Sequence, residues 1–201
     1  MNRLKFITTT ALAAVAVSSF GKAIAKGDDT FTGDCKTTSD ILGPFYRPNA
    51  PIRTNLNSKG LEGARLSISG KIFGSDCKTL LQNIEVEIWH CNTEGDYDNK
   101  SDRFDQRGRV FTNSKGEYHF ETIFPGKYLN GSAYRPAHIH FRISSKETKE
   151  LVSQVYFQND PDIVHDQWAS NAKAKHRTLP LVPKGHSGQL AVVFNIYMEE
   201  K

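Results

Sequence analysis

The sequence lacks several features that would place it in common protein classes. It has no clustered basic stripe with interleaved aromatic residues, no internal repeat, no low-complexity segment and no linker to a second domain. The chain carries 26 Lys and Arg against 22 Asp and Glu, but three of the basic residues and no acid lie in residues 1–25, which leaves a net charge of +1 for the remainder. We therefore expect no nucleic-acid partner. The 176 residues after position 25 suit one domain with a full core.

Residues 1–25 resemble a secretion signal. Arg3 and Lys5 precede the apolar run Phe6–Phe20, and the small-x-small pattern of Ala23–Ala25 follows it. The run is shorter than the ~20 residues that span a bilayer, so we do not expect a retained anchor. We predict cleavage near Ala25, a periplasmic or secreted mature protein, and no membrane association after cleavage.

Cysteine is scarce, with 3 residues in the chain. In an oxidising compartment this number predicts one disulfide and one free thiol. Cys35 and Cys77 lie in polar, turn-rich stretches, Gly-Asp-Cys-Lys and Ser-Asp-Cys-Lys, where a bridge is easily placed. Cys91 follows an apolar strand pattern and is expected to be buried. We therefore predict a Cys35–Cys77 disulfide.

Helical patterns are also scarce. Residues 26–60 form an extended arm, because Pro44 and Pro48 exclude a helix there. Only Asp162–Ala174 could form a short helix, capped by Asp160 or Asp162. Alternating runs predict strands over Arg65–Phe73, Ile84–Trp89, Glu117–Ile123, Ala137–Ile143, Leu151–Phe157 and Gln189–Met198. The short strands and the Gly, Pro and Asn turns predict an all-β fold over residues 61–201, an antiparallel β-sandwich with long loops and little helix.

The strand pattern over Ala137–Ile143 carries two histidines. His138 and His140 project from one face, because successive side chains of a strand alternate. Two neutral imidazoles so placed can bind one metal ion, although a half-buried strand with two solvated histidines would have the same pattern. Tyr97 and Tyr128 lie in loops that follow strands, where functional residues concentrate. Taken alone, each tyrosine is equally a packing or surface residue.

Several motifs occur together and in a fixed order. They are GPFYRP at 43–48, VEIWHCN at 86–92, GDY at 95–97, FPGKY at 124–128 and RPAHIHF at 135–141. Together they resemble the intradiol ring-cleaving dioxygenases, the group of the protocatechuate 3,4- and catechol 1,2-dioxygenases. The resemblance extends from about Cys35 to Val193. Because residues 26–60 have no helical pattern, the chain is more similar to secreted, single-domain members than to the cytoplasmic catechol enzymes.

The resemblance implies a metal site. It implies non-haem Fe(III) bound by two tyrosines and two histidines: Tyr97, Tyr128, His138 and His140. Two phenolate oxygens are hard anionic donors and stabilise ferric over ferrous iron. Tyr134 also lies near His138 and is the alternative second tyrosine ligand, while the Pro-Gly-x-Tyr context favours Tyr128. His90 is expected to point away from this face, and the remaining histidines, His119, His165, His176 and His186, are expected to be solvated.

The resemblance also implies catalytic residues. Arg135 matches an arginine that neutralises charge on the bound ring, and Gln154 matches a glutamine that forms a hydrogen bond near the same carbon. Without the resemblance, Arg135 would pass for a surface charge and Gln154 for a strand-edge amide. Tyr128 matches a ligand that the substrate displaces and that accepts a substrate proton. Pro44–Tyr46 matches part of the substrate pocket.

The implied reaction inserts both atoms of O2 into a catechol-type aromatic ring between its two hydroxylated carbons, and the product is a cis,cis-muconate-type diacid. Two alternatives remain open. One is an exported β-sandwich that binds a metal or ligand without ring cleavage, such as a carbohydrate-binding module or a Cu/Zn carrier. The other is a homologue that binds catechol-type siderophores or aromatics. The ring substituent and the oligomeric state also stay open, with a homo-oligomer among the options.

Overall fold

The computed structural model describes residues 35–57, 62–185 and 188–201. Every described residue belongs to one compact unit. The predicted signal segment 1–25 lies outside the described residues. Within the described ranges, no helix is long and apolar enough to cross a membrane.

The described residues form short strands and two 3-10 helices. The strands are β1 Arg65–Phe73, β2 Glu85–Trp89, β3 Arg107–Phe111, β4 Glu117–Ile123, β5 Leu129–Asn130, β6 Ala133–Tyr134, β7 His138–Ser144, β8 Leu151–Phe157, β9 Thr178–Leu179, β10 Val182–Lys184, β11 Gln189–Val193 and β12 Ile196–Tyr197. The 3-10 helices are Pro161–His165 and Ala172–Arg177. The bounds of β1, β4 and β8 agree with the prediction, and those of β2 and β7 differ from it by one residue.

Two five-stranded sheets pack on one core. The first has the order β10-β11-β1-β12, with β4 also paired to β1, and the second has the order β3-β2-β7-β8-β9. Apolar side chains of both sheets meet in one buried cluster, which includes Ile68, Phe120, Val86 and Phe141. The prediction of an all-β sandwich is confirmed. The pairings of β1 with β11, β1 with β12 and β8 with β9 are parallel, because these strands are joined by long connections rather than by hairpins.

Several details of the sequence prediction differ from the structure. The predicted helix Asp162–Ala174 is present only in part: Pro161–His165 forms a 3-10 helix capped by Asp160, one of the two predicted caps, and a second 3-10 helix begins at Ala172. Between them, the side chain of Asp166 accepts hydrogen bonds from the backbone N–H groups of Trp168 and Ala169 and competes with helix formation. The predicted strand Gln189–Met198 is divided into β11 and β12 by Phe194 and Asn195. The sequence analysis missed β3, whose two arginines and glycine obscure the alternation.

The segment 35–57 joins both sheets without forming a strand of its own. The N–H of Asp40 donates to the carbonyl of Val152 at 2.9 Å, and the N–H of Leu56 donates to the carbonyl of Glu121 at 2.8 Å. The predicted disulfide is confirmed, because Cys35 and Cys77 are bonded with their Cα atoms 5.3 Å apart. Cys91 is a free, buried thiol, as predicted.

Candidate metal centre

The second sheet places a row of functional side chains on one face. Trp89 of β2 pairs with His140 of β7, which pairs with Gln154 of β8. Directly paired residues of neighbouring strands share a face. His138 lies two residues before His140 on the same face and pairs with Tyr156. The alternate residues of β7 point into the core, so the predicted alternation of this strand is correct.

The structure brings together the rings of Tyr97, Tyr128, His138 and His140. The hydroxyl oxygen of Tyr97 lies 3.5 Å from Nε2 of His138. Ring centroids are 5.8 Å apart for the two tyrosines, 5.0 Å for the two histidines and 5.6 Å for Tyr128 and His138. The tyrosines follow β2 and β4, and the histidines lie on β7. Three separate pieces of the chain therefore bring two phenols and two imidazoles to one place.

Both imidazoles are in the form that binds metals. Nδ1 of His138 donates to the carbonyl of Pro136 at 2.7 Å, which leaves the Nε2 lone pair free to face the cluster. Nδ1 of His140 is buried and has no hydrogen-bond partner in the described part of the chain. Burial, aided by the charge of Arg135, lowers the pKa of His138 to about 3, and burial together with His138 holds the pKa of His140 well below its usual value. The imidazoles are therefore neutral at physiological pH.

The two phenols complete a donor set that suits a hard trivalent cation. Burial raises the pKa of Tyr97 well above its usual value, so in the absence of a metal its hydroxyl stays protonated. A bound cation reverses this preference, because it favours the phenolate form. Among the described residues, no group of three or more His, Cys, Asp or Glu could hold a metal ion. Tyr134 is 58% exposed, whereas Tyr128 lies against His138.

Arg135 and Gln154 lie beside the histidine pair. Arg135 is 2% exposed and Gln154 is fully buried. One terminal nitrogen of Arg135 lies 3.5 Å from Nε2 of His138, and the other donates to Oε1 of Gln154 at 3.2 Å. The amide nitrogen of Gln154 donates to the carbonyl of Ile41 at 2.8 Å. The structure therefore places both predicted catalytic residues next to the four rings.

Sequence reasoning missed the partners of Arg135. Its Nε donates to Asp166 at 2.7 Å, and its guanidinium carbon lies 4.4 Å from the ring centroid of Trp168. Burial opposes the charged guanidinium, but the Asp166 carboxylate outweighs this effect and raises the pKa of Arg135. A buried arginine requires an acidic partner. The sequence alone could indicate that a buried Arg135 needs an acidic partner, but it could not identify that partner as Asp166.

The arm residues 43–46 cover the cluster. Phe45 stacks on Tyr97 with ring centroids 4.4 Å apart and packs edge-on against Tyr128 at 5.6 Å. Gly43 has a φ of 74°, and a Cβ at this position would lie 2.9 Å from Cε1 of His140. Glycine is therefore required for both the backbone conformation and the close approach. Trp89 stacks on His140, with ring centroids 4.8 Å apart.

The other histidines that the structure describes lie outside this cluster. His90 is buried, with Nδ1 2.7 Å from the carbonyl of Cys91 and Nε2 2.8 Å from the hydroxyl of Thr122. His119 pairs with Glu121 at 2.8 Å. His165 and His176 are exposed, as predicted, and His186 lies outside the described residues.

Comparisons with known proteins give one consistent result. The family model described as Dioxygenase matches residues 41–199. Catechol 1,2-dioxygenase 2 of Acinetobacter lwoffii is 31% identical over 150 residues, which cover 65% of this chain and 54% of that protein. The protocatechuate 3,4-dioxygenase beta chain of Burkholderia cepacia is 35% identical over 116 residues, with coverages of 52% and 49%. The chain thus spans about half the length of the curated relatives it matches.

Solved structures agree with this result. The dioxygenase domain of a dioxygenase and carbohydrate-binding protein fusion from Streptomyces sp. SirexAA-E has a TM-score of 0.71 and 27% identity, and the match covers 82% of this chain and 98% of that domain. Catechol 1,2-dioxygenase from Acinetobacter sp. ADP1 has a TM-score of 0.74 and 24% identity, with coverages of 84% and 64%. The second match shows a shared fold.

Proposed function

Because the chain belongs to the intradiol ring-cleavage dioxygenase family, we propose that it cleaves a catechol-type aromatic ring with O2 between the two hydroxylated carbons. The product would be a cis,cis-muconate-type diacid. One observation carries this proposal: two phenols and two neutral, buried imidazoles meet in one cluster, with the hydroxyl of Tyr97 3.5 Å from Nε2 of His138. The names of two relatives, a catechol 1,2-dioxygenase and a protocatechuate 3,4-dioxygenase beta chain, support the choice of substrate class.

The proposed cofactor is non-haem Fe(III), held by Tyr97, Tyr128, His138 and His140. When bound, the ferric ion would act as a Lewis acid and as a template for the catechol oxygens. The chain orients the donors in advance, because the bond from His138 to the Pro136 carbonyl aims Nε2 at the cluster.

The proposed roles of the surrounding side chains follow from their positions. Tyr128 is only partly buried, so as a phenolate it would have room to move and to accept a proton from a catechol hydroxyl. Arg135 and Gln154 would stabilise negative charge that develops on the ring carbon, an effect worth a few kcal/mol in a dry site. Phe45 and Trp89 enclose the rings and would keep water away from them.

Oxygen uptake tests the proposed function. The purified protein, loaded with iron, should consume O2 with one or more of catechol, protocatechuate, hydroxyquinol and chlorinated catechols, and the ring-opened diacid should be identified by mass. Concentrated protein should be red-brown from phenolate-to-iron charge transfer. A protein that binds iron and catechol but consumes no O2 would instead be a binding protein, and full activity without iron would refute the proposed cofactor.

We also propose that the mature protein acts outside the cytoplasm. The Cys35–Cys77 disulfide supports this proposal, because structural disulfides form and persist in oxidising compartments. Mass spectrometry of the protein recovered from the periplasm or medium should give a chain that begins near Lys26, whereas recovery of the intact chain from the cytoplasm would contradict export.

A further inference from the structure

Arg135 forms a buried ion pair with Asp166 beside the ring cluster. The two side chains are 2% and 3% exposed, and Nε of Arg135 lies 2.7 Å from Oδ2 of Asp166. A terminal nitrogen of the same guanidinium lies 3.4 Å from the other carboxylate oxygen. Paired contacts of this kind fix both the position and the plane of a guanidinium.

The guanidinium is also held on its other sides. The Trp168 ring lies across its face, 4.4 Å from the guanidinium carbon. The terminal nitrogen that faces Asp166 also donates to Oε1 of Gln154 and to the hydroxyl of Tyr156, both at 3.2 Å. The other terminal nitrogen lies 3.5 Å from Nε2 of His138. Asp166 and Trp168 therefore hold the guanidinium from the side away from His138 and orient it toward the proposed metal site.

Besides its ion pair with Arg135, Asp166 accepts hydrogen bonds from the backbone, and a test must separate the two contributions. Its Oδ1 accepts hydrogen bonds from the backbone N–H groups of Trp168 at 3.0 Å and Ala169 at 2.7 Å. Loss of the carboxylate could therefore disturb this loop as well as the guanidinium. The shorter contact with Arg135 uses Oδ2, whereas Oδ1 accepts both backbone hydrogen bonds and the longer contact with Arg135.

We propose that Asp166 is the positioning residue for Arg135 and holds the guanidinium against His138 and Gln154, so that its charge faces the aromatic ring during ring cleavage. This inference rests on the proposed function. Asp166 itself would not touch the substrate. Its contribution would act through Arg135 alone, and this dependence distinguishes it from a residue that merely stabilises the fold.

Kinetics of single and double variants test this dependence. Asp166→Asn keeps the side-chain shape and an oxygen for the two backbone N–H groups but removes the charge. It should lower kcat for catechol roughly tenfold to a hundredfold, with KM changed by less than about threefold. In an Arg135→Ala background, the same change should lower kcat by less than about twofold. Asp166→Glu, which keeps the charge, should recover part of the activity.

Chemical rescue gives a second, independent readout. A cavity of about 170 Å³ borders Arg135, Asp166 and Trp168, so a small cation has a route to the space that Arg135→Ala would open. Millimolar guanidinium should restore part of the activity of Arg135→Ala. It should not restore Arg135→Ala/Asp166→Asn, because the carboxylate that would hold the added cation is gone. Glu85→Gln, which removes a different arginine–carboxylate pair, that of Glu85 with Arg109 at 2.9 Å, serves as the control and should behave as wild type.

Crystal structures of the wild-type protein and of Asp166→Asn test the positioning role without measuring activity. In Asp166→Asn, the guanidinium should leave its contacts with Gln154 and His138. A guanidinium that stays in place, or an equal loss of kcat from Asp166→Asn with and without Arg135, would overturn the positioning role. If the wild-type protein binds iron but consumes no O2, the proposed function fails, and the two structures still decide whether Asp166 positions Arg135.

Discussion

The oxygen of Tyr97 is the part of this side chain that the proposed metal needs. The Tyr97 ring is held by stacking on Phe45, and the change Tyr97→Phe removes only the hydroxyl. We expect iron affinity to fall more than about tenfold, together with ring-cleaving activity. Loss of a residue that only hydrogen-bonds to a metal ligand already lowers metal affinity by about tenfold or more, and loss of the ligand itself should have a larger effect. Iron content and the visible charge-transfer band are the measurements.

Tyr134→Phe is the matched control, because Tyr134 is the other candidate ligand and is 58% exposed. It should retain the iron and the colour. Retention of colour in Tyr128→Phe together with its loss in Tyr134→Phe would reverse the assignment of the second tyrosine.

The pH dependence of stability should reflect His90. Burial lowers the pKa of His90 to about 4, whereas the unfolded chain titrates near pH ~6.5. Below pH ~6.5 the unfolded state takes up the proton first, so stability is lost as the pH falls toward about 4. Between pH 7 and pH 5 this residue should reduce the unfolding free energy by about 2 kcal/mol.

Urea unfolding of His90→Gln at the two pH values measures this effect. The variant should be less stable than wild type at pH 7, because it loses contacts with Cys91 and Thr122, but its stability should fall less on acidification. The exposed His165→Gln should have the wild-type pH dependence. An unchanged pH difference in His90→Gln would show that His90 does not cause it.

At the scale of elements, the arm 35–57 is part of the site rather than a connection to it. Gly43 combines a φ of 74° with a close approach to His140. Gly43→Ala should therefore lower the unfolding free energy by about 1–3 kcal/mol through backbone strain and steric overlap, and it should also lower iron affinity, because the His140 ring must shift. Denaturation and metal titration measure the two effects.

Gly74→Ala is the control for that variant. A Cβ at Gly74 would meet its nearest neighbour at an ordinary 3.5 Å, and the backbone there needs no left-handed conformation. It should leave both stability and iron affinity near wild type. Equal losses in the two variants would indicate a general effect of replacing a loop glycine.

At the scale of the whole molecule, the Cys35–Cys77 disulfide ties the start of the arm to the turn after β1. It closes a loop with a sequence separation of 42 residues. Replacing both cysteines by serine should lower the unfolding free energy by about 2–4 kcal/mol, measured by urea denaturation without reductant. Under reducing conditions the wild type and the variant should have similar stability, and a difference that persists there would point to a cause other than the bond.

Local patterns determined much of the protein. The alternation around His138 and His140, the buried Cys91 and the bounds of β1, β4 and β8 could be predicted, because each depends on neighbours close in the chain. The motifs that carry the family resemblance are local too. The wrong predictions also came from local patterns. The stretch Asp162–Ala174 has a helical pattern, but Asp166 satisfies nearby backbone N–H groups and Arg135 instead.

Only the tertiary structure decided which distant residues meet. The family resemblance implied two tyrosines and two histidines as donors and favoured Tyr128, and the fold places Tyr128 against His138 while Tyr134 is 58% exposed. The fold also places Asp166 on Arg135, 31 residues away in the chain, and Phe45 on Tyr97. The residues next to a side chain in the sequence indicate whether that side chain is buried or exposed. Its partner across the sandwich depends on strand register and loop paths, which arise only when the sheets pack.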